Sequence, residues 1–89
     1  MDIQEAVEEL KAAVDNWNTD ADSDEQVRWH PDYSGRFMYG AQCVGISSDA
    51  YTLAQVWTDV SRDGRNALGK PTMDSMGLGS IWYWPGVTG

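Results

Sequence analysis

The first seventeen residues carry the pattern that most constrains the fold. Apolar side chains recur there at spacings of four and three, which places them on one stripe of an α-helix: Ile3, Val7, Leu10, Val14 and Trp17. Asp2 precedes the stripe and Glu5 follows three residues later, as in a capping box. The pattern predicts a helix over residues 2 to 17, which has to bury its stripe against another element.

The length of the chain limits it to one core. A chain of 89 residues buries only a little over ~60% of its unfolded surface. Apolar residues make up 42% of the chain and five residues are Trp, a composition that favours a globular domain over a disordered acidic tail. We therefore predict a single domain over residues 1 to 89.

Two strands are predicted in the middle of the chain. Val27 and Trp29 alternate with polar residues in a strand from 26 to 30, which Pro31 is expected to end. A turn at 33 to 35 leads to a second strand from 37 to 46. Gly40 and Gly45 in this strand suggest a bulge or a close approach of another backbone or of a partner.

The second half predicts one more helix and one more strand. Ser47 and Ser48 can cap a helix that runs to about residue 63, where Gly64 would supply a left-handed stop. Residues 65 to 78 are expected to be irregular, and residues 79 to 84 form an aromatic strand that ends at Pro85. The order helix, strand, strand, helix, strand predicts an α+β fold, with two helices packed on a small three-stranded sheet.

The excess of negative charge is confined to the first half of the chain. Residues 1–49 hold eleven acids and three bases, whereas residues 50–89 hold three of each, so the net charge of −8 belongs to the first half. Glu5, Glu8 and Glu9 suit the positive end of the first helix. The surplus is the cluster from Asp15 to Glu25, most of which lies in an expected loop from 16 to 25, together with Asp32. The net charge disfavours direct binding to nucleic acid or anionic lipid.

The location of the protein is inferred from what its sequence lacks. The single cysteine, Cys43, rules out an intrachain disulfide and suits a reducing compartment. The first residues are acidic where a signal peptide is basic, and no apolar run approaches the ~20 residues of a membrane span. We expect a cytoplasmic protein without membrane association.

Two arrangements resemble reactive or metal-binding motifs. Asp20, Asp22 and Asp24 alternate as at the start of a calcium loop, but Glu25 stands where that loop needs glycine. A solvated acidic loop is the simpler interpretation, and no metal or cofactor is predicted. The residue types of His30, Asp32 and Cys43 would suit nucleophilic catalysis. A single cysteine within a strand is, however, usually a core residue.

Two segments contain polar and aromatic residues that a hydrophobic core alone does not require. They are DYSGRFMYGAQCVGI at 32–46 and MDSMGLGSIWYWPG at 73–86. The simplest interpretation is a turn in which Arg36 pairs with Asp32 or Asp74. The functional alternative is a small pocket or contact patch, in which Asp74 is expected to lie in a turn. Its residues are of types that are common in protein interfaces or in ligand sites: Tyr33, Arg36, Tyr39, Cys43 and Asp74.

At these segments the chain resembles short uncharacterised proteins of bacteriophages and actinobacteria that carry YSGR-x-MYG and DSMGLG stretches. The two segments make up about a third of the chain, and Phe37 stands where the resemblance implies a glycine. The resemblance implies a phage or prophage setting. It supplies no activity and no catalytic residues.

These observations favour a non-enzymatic protein-binding factor that acts on a basic host-protein surface. The residues expected to bind are the acidic ones that folding does not explain: Asp20, Asp22, Asp24, Glu25 and Asp32. One alternative is a small-ligand-binding protein or small enzyme that uses Arg36, Tyr39, Cys43 and Asp74. Another is a homodimer formed through an exposed edge of the aromatic strand that contains Trp82 and Trp84.

Overall fold

The computed structural model describes residues 1–33, 43–76 and 79–87. Within them, three helices lie on one face of a four-stranded antiparallel sheet whose strand order is β1-β2-β4-β3. The elements are α1 (Ile3–Asp20), β1 (Arg28–Tyr33), β2 (Cys43–Ser47), α2 (Ala50–Thr58), α3 (Arg62–Leu68), β3 (Thr72–Met76) and β4 (Gly79–Trp84). The predicted α+β class is confirmed, whereas the predicted count of two helices and three strands is wrong.

Helix α1 confirms the predicted amphipathic helix and extends it. The Asp2 carboxylate accepts a hydrogen bond from the Glu5 N–H at 2.8 Å, as predicted for the cap. The buried face consists of Ala6, Val7, Leu10, Ala13 and Val14. Ile3 was expected in this stripe but is 45% exposed, because it lies in the first turn, before the buried face begins. The helix continues to Asp20, so the loop predicted from 16 to 25 begins later than expected.

The single helix predicted after β2 is in fact two helices. Asp49, rather than Ser47 or Ser48, caps α2: its carboxylate accepts from the Thr52 N–H at 2.6 Å. Helix α2 ends at Thr58, and α3 begins after Ser61, whose hydroxyl accepts from the Gly64 N–H at 3.0 Å.

Contacts with α1 fix the start of α3. The Glu9 carboxylate accepts from the N–H of Ser61 and from its hydroxyl, the latter at 3.0 Å. Gly64, predicted as a helix stop, lies buried inside α3. A Cβ at this position would come within 3.0 Å of both Glu9 Oε2 and Val60 Cγ1. Glycine is therefore suited to the close approach of α1 and α3 rather than to a left-handed turn.

Strand β1 does not end at Pro31. His30 pairs with Gly45 and Tyr33 with Cys43, so β1 carries one extra residue between these pairs, a β-bulge. Pro31 lies in this bulge on an edge strand, where a missing N–H is tolerated. The bulge also turns the Tyr33 side chain to the face of the sheet that His30 occupies.

Strand β3 was missed by the sequence analysis, which expected residues 65 to 78 to be irregular. Asp74 therefore lies in a strand and not in a turn, paired with Ile81 of β4. Strand β4 in turn lies between β2 and β3. The expected free edge at Trp82 and Trp84 is wrong, because both sides of β4 are already paired.

The core lies between the sheet and the helices and is centred on Trp84. This side chain is fully buried, and its indole N–H donates to the Gly69 carbonyl at 3.1 Å. Its ring stacks on Trp57 of α2 with 5.6 Å between centroids. Val44 and Ile46 of β2 are fully buried on the same face.

We predict that Glu9→Ala lowers the free energy of unfolding by about 1–3 kcal/mol, because it removes the acceptor of the Ser61 N–H at the start of α3. Denaturant unfolding measures the change. Glu8→Ala, at an exposed neighbouring position, is the matched control and should stay within about 0.5 kcal/mol of wild type. Equal effects of the two substitutions would contradict this role for Glu9.

Candidate functional site

The structure groups four of the five predicted acidic binding residues. Asp20 is the last residue of α1, and Asp22, Asp24 and Glu25 follow it in the connection to β1. All four are exposed, and we call them the acidic loop. Asp32 is exposed as well, but it lies four residues beyond Arg28 along β1, a span of about 13 Å. It is not part of the acidic loop.

Side-chain amides hold the acidic loop against α1. The Asn18 amide nitrogen donates to the Val27 carbonyl at 2.8 Å, and the Asn18 amide oxygen accepts from the Val27 N–H at 2.8 Å. Gln26 donates from its amide to the carbonyls of Asn18 at 2.8 Å and Ala21 at 2.9 Å. Polar side chains on both sides of the loop therefore determine the course of its backbone.

Trp17 completes the support of the acidic loop. Its indole N–H donates to the Glu25 carbonyl at 2.9 Å, and the Glu25 N–H donates to the Asp22 carbonyl at 2.9 Å. A small hollow of about 110 Å³ lies between Trp17, Asp20, Ala21 and Glu25. The loop carboxylates thus project from an ordered backbone beside a half-buried indole ring.

A larger groove lies on the other side of the acidic loop, and the sequence analysis did not find it. Its volume is about 580 Å³. Its lining combines carboxylates, hydroxyls and two aliphatic side chains: Asp24, Glu25, Gln26, Val27, Ser47, Ser48, Asp49, Thr52, Ser80 and Ile81. Among the described residues that line the groove there is no lysine or arginine. Ser47 and Ser48 were predicted only as helix caps, although they also line the groove together with Asp49.

Two polar pairs set the electrostatics of this groove. The backbone N–H and the hydroxyl of Thr52 bond to the Asp49 carboxylate and lower its pKa, so it stays ionised at neutral pH. His30 Nε2 lies 2.7 Å from Ser47 Oγ. Burial, with a smaller contribution from nearby Arg28, lowers the pKa of His30 and favours its neutral form. The groove therefore presents negative charge at neutral pH.

Three of the five residues predicted to form a pocket or patch meet on the face of the sheet away from the helices. The Tyr33 hydroxyl donates to the Asp74 carboxylate at 2.5 Å, and the Cys43 thiol donates to the Tyr33 carbonyl at 3.4 Å. The other two, Arg36 and Tyr39, lie outside the described residues. The proposed ion pair of Arg36 with Asp74 or Asp32 stays a prediction.

The Tyr33 side chain crosses the sheet from β1 to β3. It passes over Gly45 of β2, where a Cβ would lie 3.2 Å from Tyr33 Cβ and 3.3 Å from the Trp82 carbonyl oxygen. Its ring then packs against Tyr83 of β4 with 5.3 Å between centroids. A close approach does occur at Gly45, but the Tyr33 side chain makes it, next to the Trp82 carbonyl of the neighbouring strand, and not the separate backbone or partner that was predicted.

The described part of this patch is packed rather than open. Asp74 is 8% exposed and Cys43 is fully buried. Burial raises the pKa of the Cys43 thiol, which favours the protonated form over the thiolate that a nucleophile requires. Burial and the hydrogen bond to Asp74 raise the pKa of Tyr33 to about 12. These contacts stabilise the sheet, and the ligand-site alternative stays a prediction.

Comparisons of the chain with protein-family models, curated proteins and solved structures find no match. The resemblance to phage and actinobacterial proteins therefore stays a prediction. Among residues 1–33, 43–76 and 79–87, no three His, Cys, Asp or Glu side chains lie together as a metal site requires. No described helix is long and apolar enough to cross a bilayer.

We predict that Tyr33→Phe destabilises the domain by about 1–3 kcal/mol at neutral pH, because the buried Asp74 carboxylate loses its donor. The wild type should also lose stability as the pH rises from 10, the ordinary pKa of tyrosine, through about 12, the pKa of folded Tyr33. The sign follows because the folded state holds the phenolic proton more tightly than the unfolded state. Denaturant unfolding at several pH values measures both effects.

The control for this experiment is Tyr51→Phe, because Tyr51 is 71% exposed. It should leave both the neutral stability and the alkaline loss as in wild type. A Tyr33→Phe variant that keeps the full alkaline loss would contradict the assignment of that loss to Tyr33.

Proposed function

We propose that this domain is a non-enzymatic protein-binding factor whose acidic loop docks on a basic surface of another protein. The observation that supports the proposal most is the combination of four exposed carboxylates with a loop backbone fixed by hydrogen bonds. A loop whose backbone is already ordered loses little backbone freedom on binding. Its exposed charges speed the encounter with an oppositely charged surface.

The position of Asp20 supports a role outside folding. It ends α1, where the partial charge of the helix is negative, and no basic residue lies in the last turn to offset it. Asp22, Asp24 and Glu25 add like charges next to it. This arrangement opposes folding stability, so the loop charge is better explained by a partner than by the fold.

The nature of the partner follows from charge and from the resemblance described above. A phage or prophage protein with this surface would act on a bacterial host protein that carries lysines and arginines, such as a surface that otherwise holds nucleic acid. Half-buried Trp17 beneath the loop adds an aromatic contact of the type that dominates interface energies.

The test is affinity capture from bacterial lysate at low and high salt. The decisive variant combines Asp20→Asn, Asp22→Asn, Asp24→Asn and Glu25→Gln. Wild type should capture basic proteins at low salt and release them at high salt, because screening weakens exposed charge pairs. The variant should lose this capture while remaining at least as stable as wild type, because it relieves repulsion within the loop.

The matched control instead removes three charges from α1 and α3, by Glu8→Gln, Asp15→Asn and Asp63→Asn, and one just after α2, by Asp59→Asn. These residues are also exposed, and both variants have the same net charge. The control should keep the captured proteins. If the two variants lose capture equally, or if the captured proteins are not basic, binding through the acidic loop is refuted.

A further inference from the structure

The groove beside the acidic loop is built from three separate parts of the chain. Residues 24–27 form one wall, and residues 47–49 with Thr52, at the end of β2 and the start of α2, form the other. Ser80 and Ile81 of β4 also line it. Its volume of about 580 Å³ lies in the range of about 300–1,000 Å³ that small-ligand sites occupy. It has room for a long side chain together with part of the backbone that carries it.

The chemistry of the lining selects the charge and shape of a ligand. Asp24 and Glu25 on one wall and Asp49 on the other place carboxylates on both sides of the groove. Ser47, Ser48 and Ser80 also line the groove. The Ser48 hydroxyl donates to the Asp49 carbonyl and keeps lone pairs that can accept. Half-buried Ile81 supplies aliphatic contact. A cation with several donors and an apolar stem satisfies all three features.

We infer that this groove binds an arginine side chain from a basic segment of the partner, an inference that rests on the proposed function. The guanidinium presents five N–H donors in a planar fork, which suits acceptors on two walls better than the compact ammonium of lysine does. The methylene stem of the arginine lies along Ile81, as such stems do on apolar surface. The acidic loop attracts the partner, and the groove selects the side chain.

The direct probe is the peptide acetyl-Gly-Arg-Gly-amide, titrated into the isotope-labelled domain. We expect backbone amide shifts at Val27, Ser48, Thr52 and Ile81. The same peptide with citrulline, a neutral isostere of arginine, should produce at least about tenfold weaker binding. The lysine peptide should also bind more weakly, and equal binding of the lysine and arginine peptides would overturn the assignment to a guanidinium.

Two variants separate the groove from general attraction to acidic residues. Ser48→Tyr fills the groove without changing the charge and should weaken binding of the arginine peptide at least about tenfold. Asp24→Asn with Glu25→Gln should weaken it as well, whereas the exposed pair Glu8→Gln with Asp15→Asn on α1 should not. The amide spectrum of each variant verifies its fold.

The possible failures are distinguishable. If Ser48→Tyr binds the peptide as wild type does, or if shifts are confined to residues 20–23, the groove inference is overturned while capture through the acidic loop stands. If the peptide occupies the groove but lysate capture does not depend on the loop charges, the proposed function alone fails.

Discussion

The carboxamide of Asn18 joins the end of α1 to the start of the sheet, and the functional surface depends on this contact. It donates to the carbonyl of Val27 and accepts from the N–H of the same residue, as the backbone groups of a paired strand residue would. Val27 is only 4% exposed, so losing these partners would cost about 1–3 kcal/mol for each unsatisfied group. The bidentate contact fixes the direction in which the chain leaves α1, and with it the course of the acidic loop and one wall of the groove.

The acidic residues of the chain have different physical roles. Asp2 and Asp49 cap helices, Glu9 holds α3 against α1, and Asp74 accepts the bond from the Tyr33 hydroxyl on the far face of the sheet. Each of these carboxylates is tied to a donor that the fold supplies. The acidic loop differs, because its backbone, rather than its carboxylates, makes the hydrogen bonds that order it. This division separates charge that stabilises the domain from charge that is available to a partner, and Asp49 has both roles because it also lines the groove.

Periodicity predicted α1, and an aromatic run that ends at Pro85 predicted β4, because both signals are local in the sequence. The break between α2 and α3 was not predictable in this way, because it depends on a bond between Glu9 and Ser61, 52 residues apart. Strand β3 lacks an alternating pattern and is defined by its pairing with β4. For the site, composition pointed to Tyr33, Cys43 and Asp74, but not to the bulge that brings Tyr33 over the sheet. The groove was missed because its walls come from segments that are distant in sequence.

The central claim is that the placement of the loop carboxylates, and not the net charge, produces binding. Asn18→Ala tests it most directly, because this variant keeps the net charge of −8 while removing the contact that orders the loop. The measurement is the affinity of the captured basic partner for Asn18→Ala and for wild type at one salt concentration, with the fold of the sheet verified by its amide spectrum. We expect affinity to fall several-fold, because the loop must then be ordered on binding. Equal affinity of the two proteins would contradict the claim.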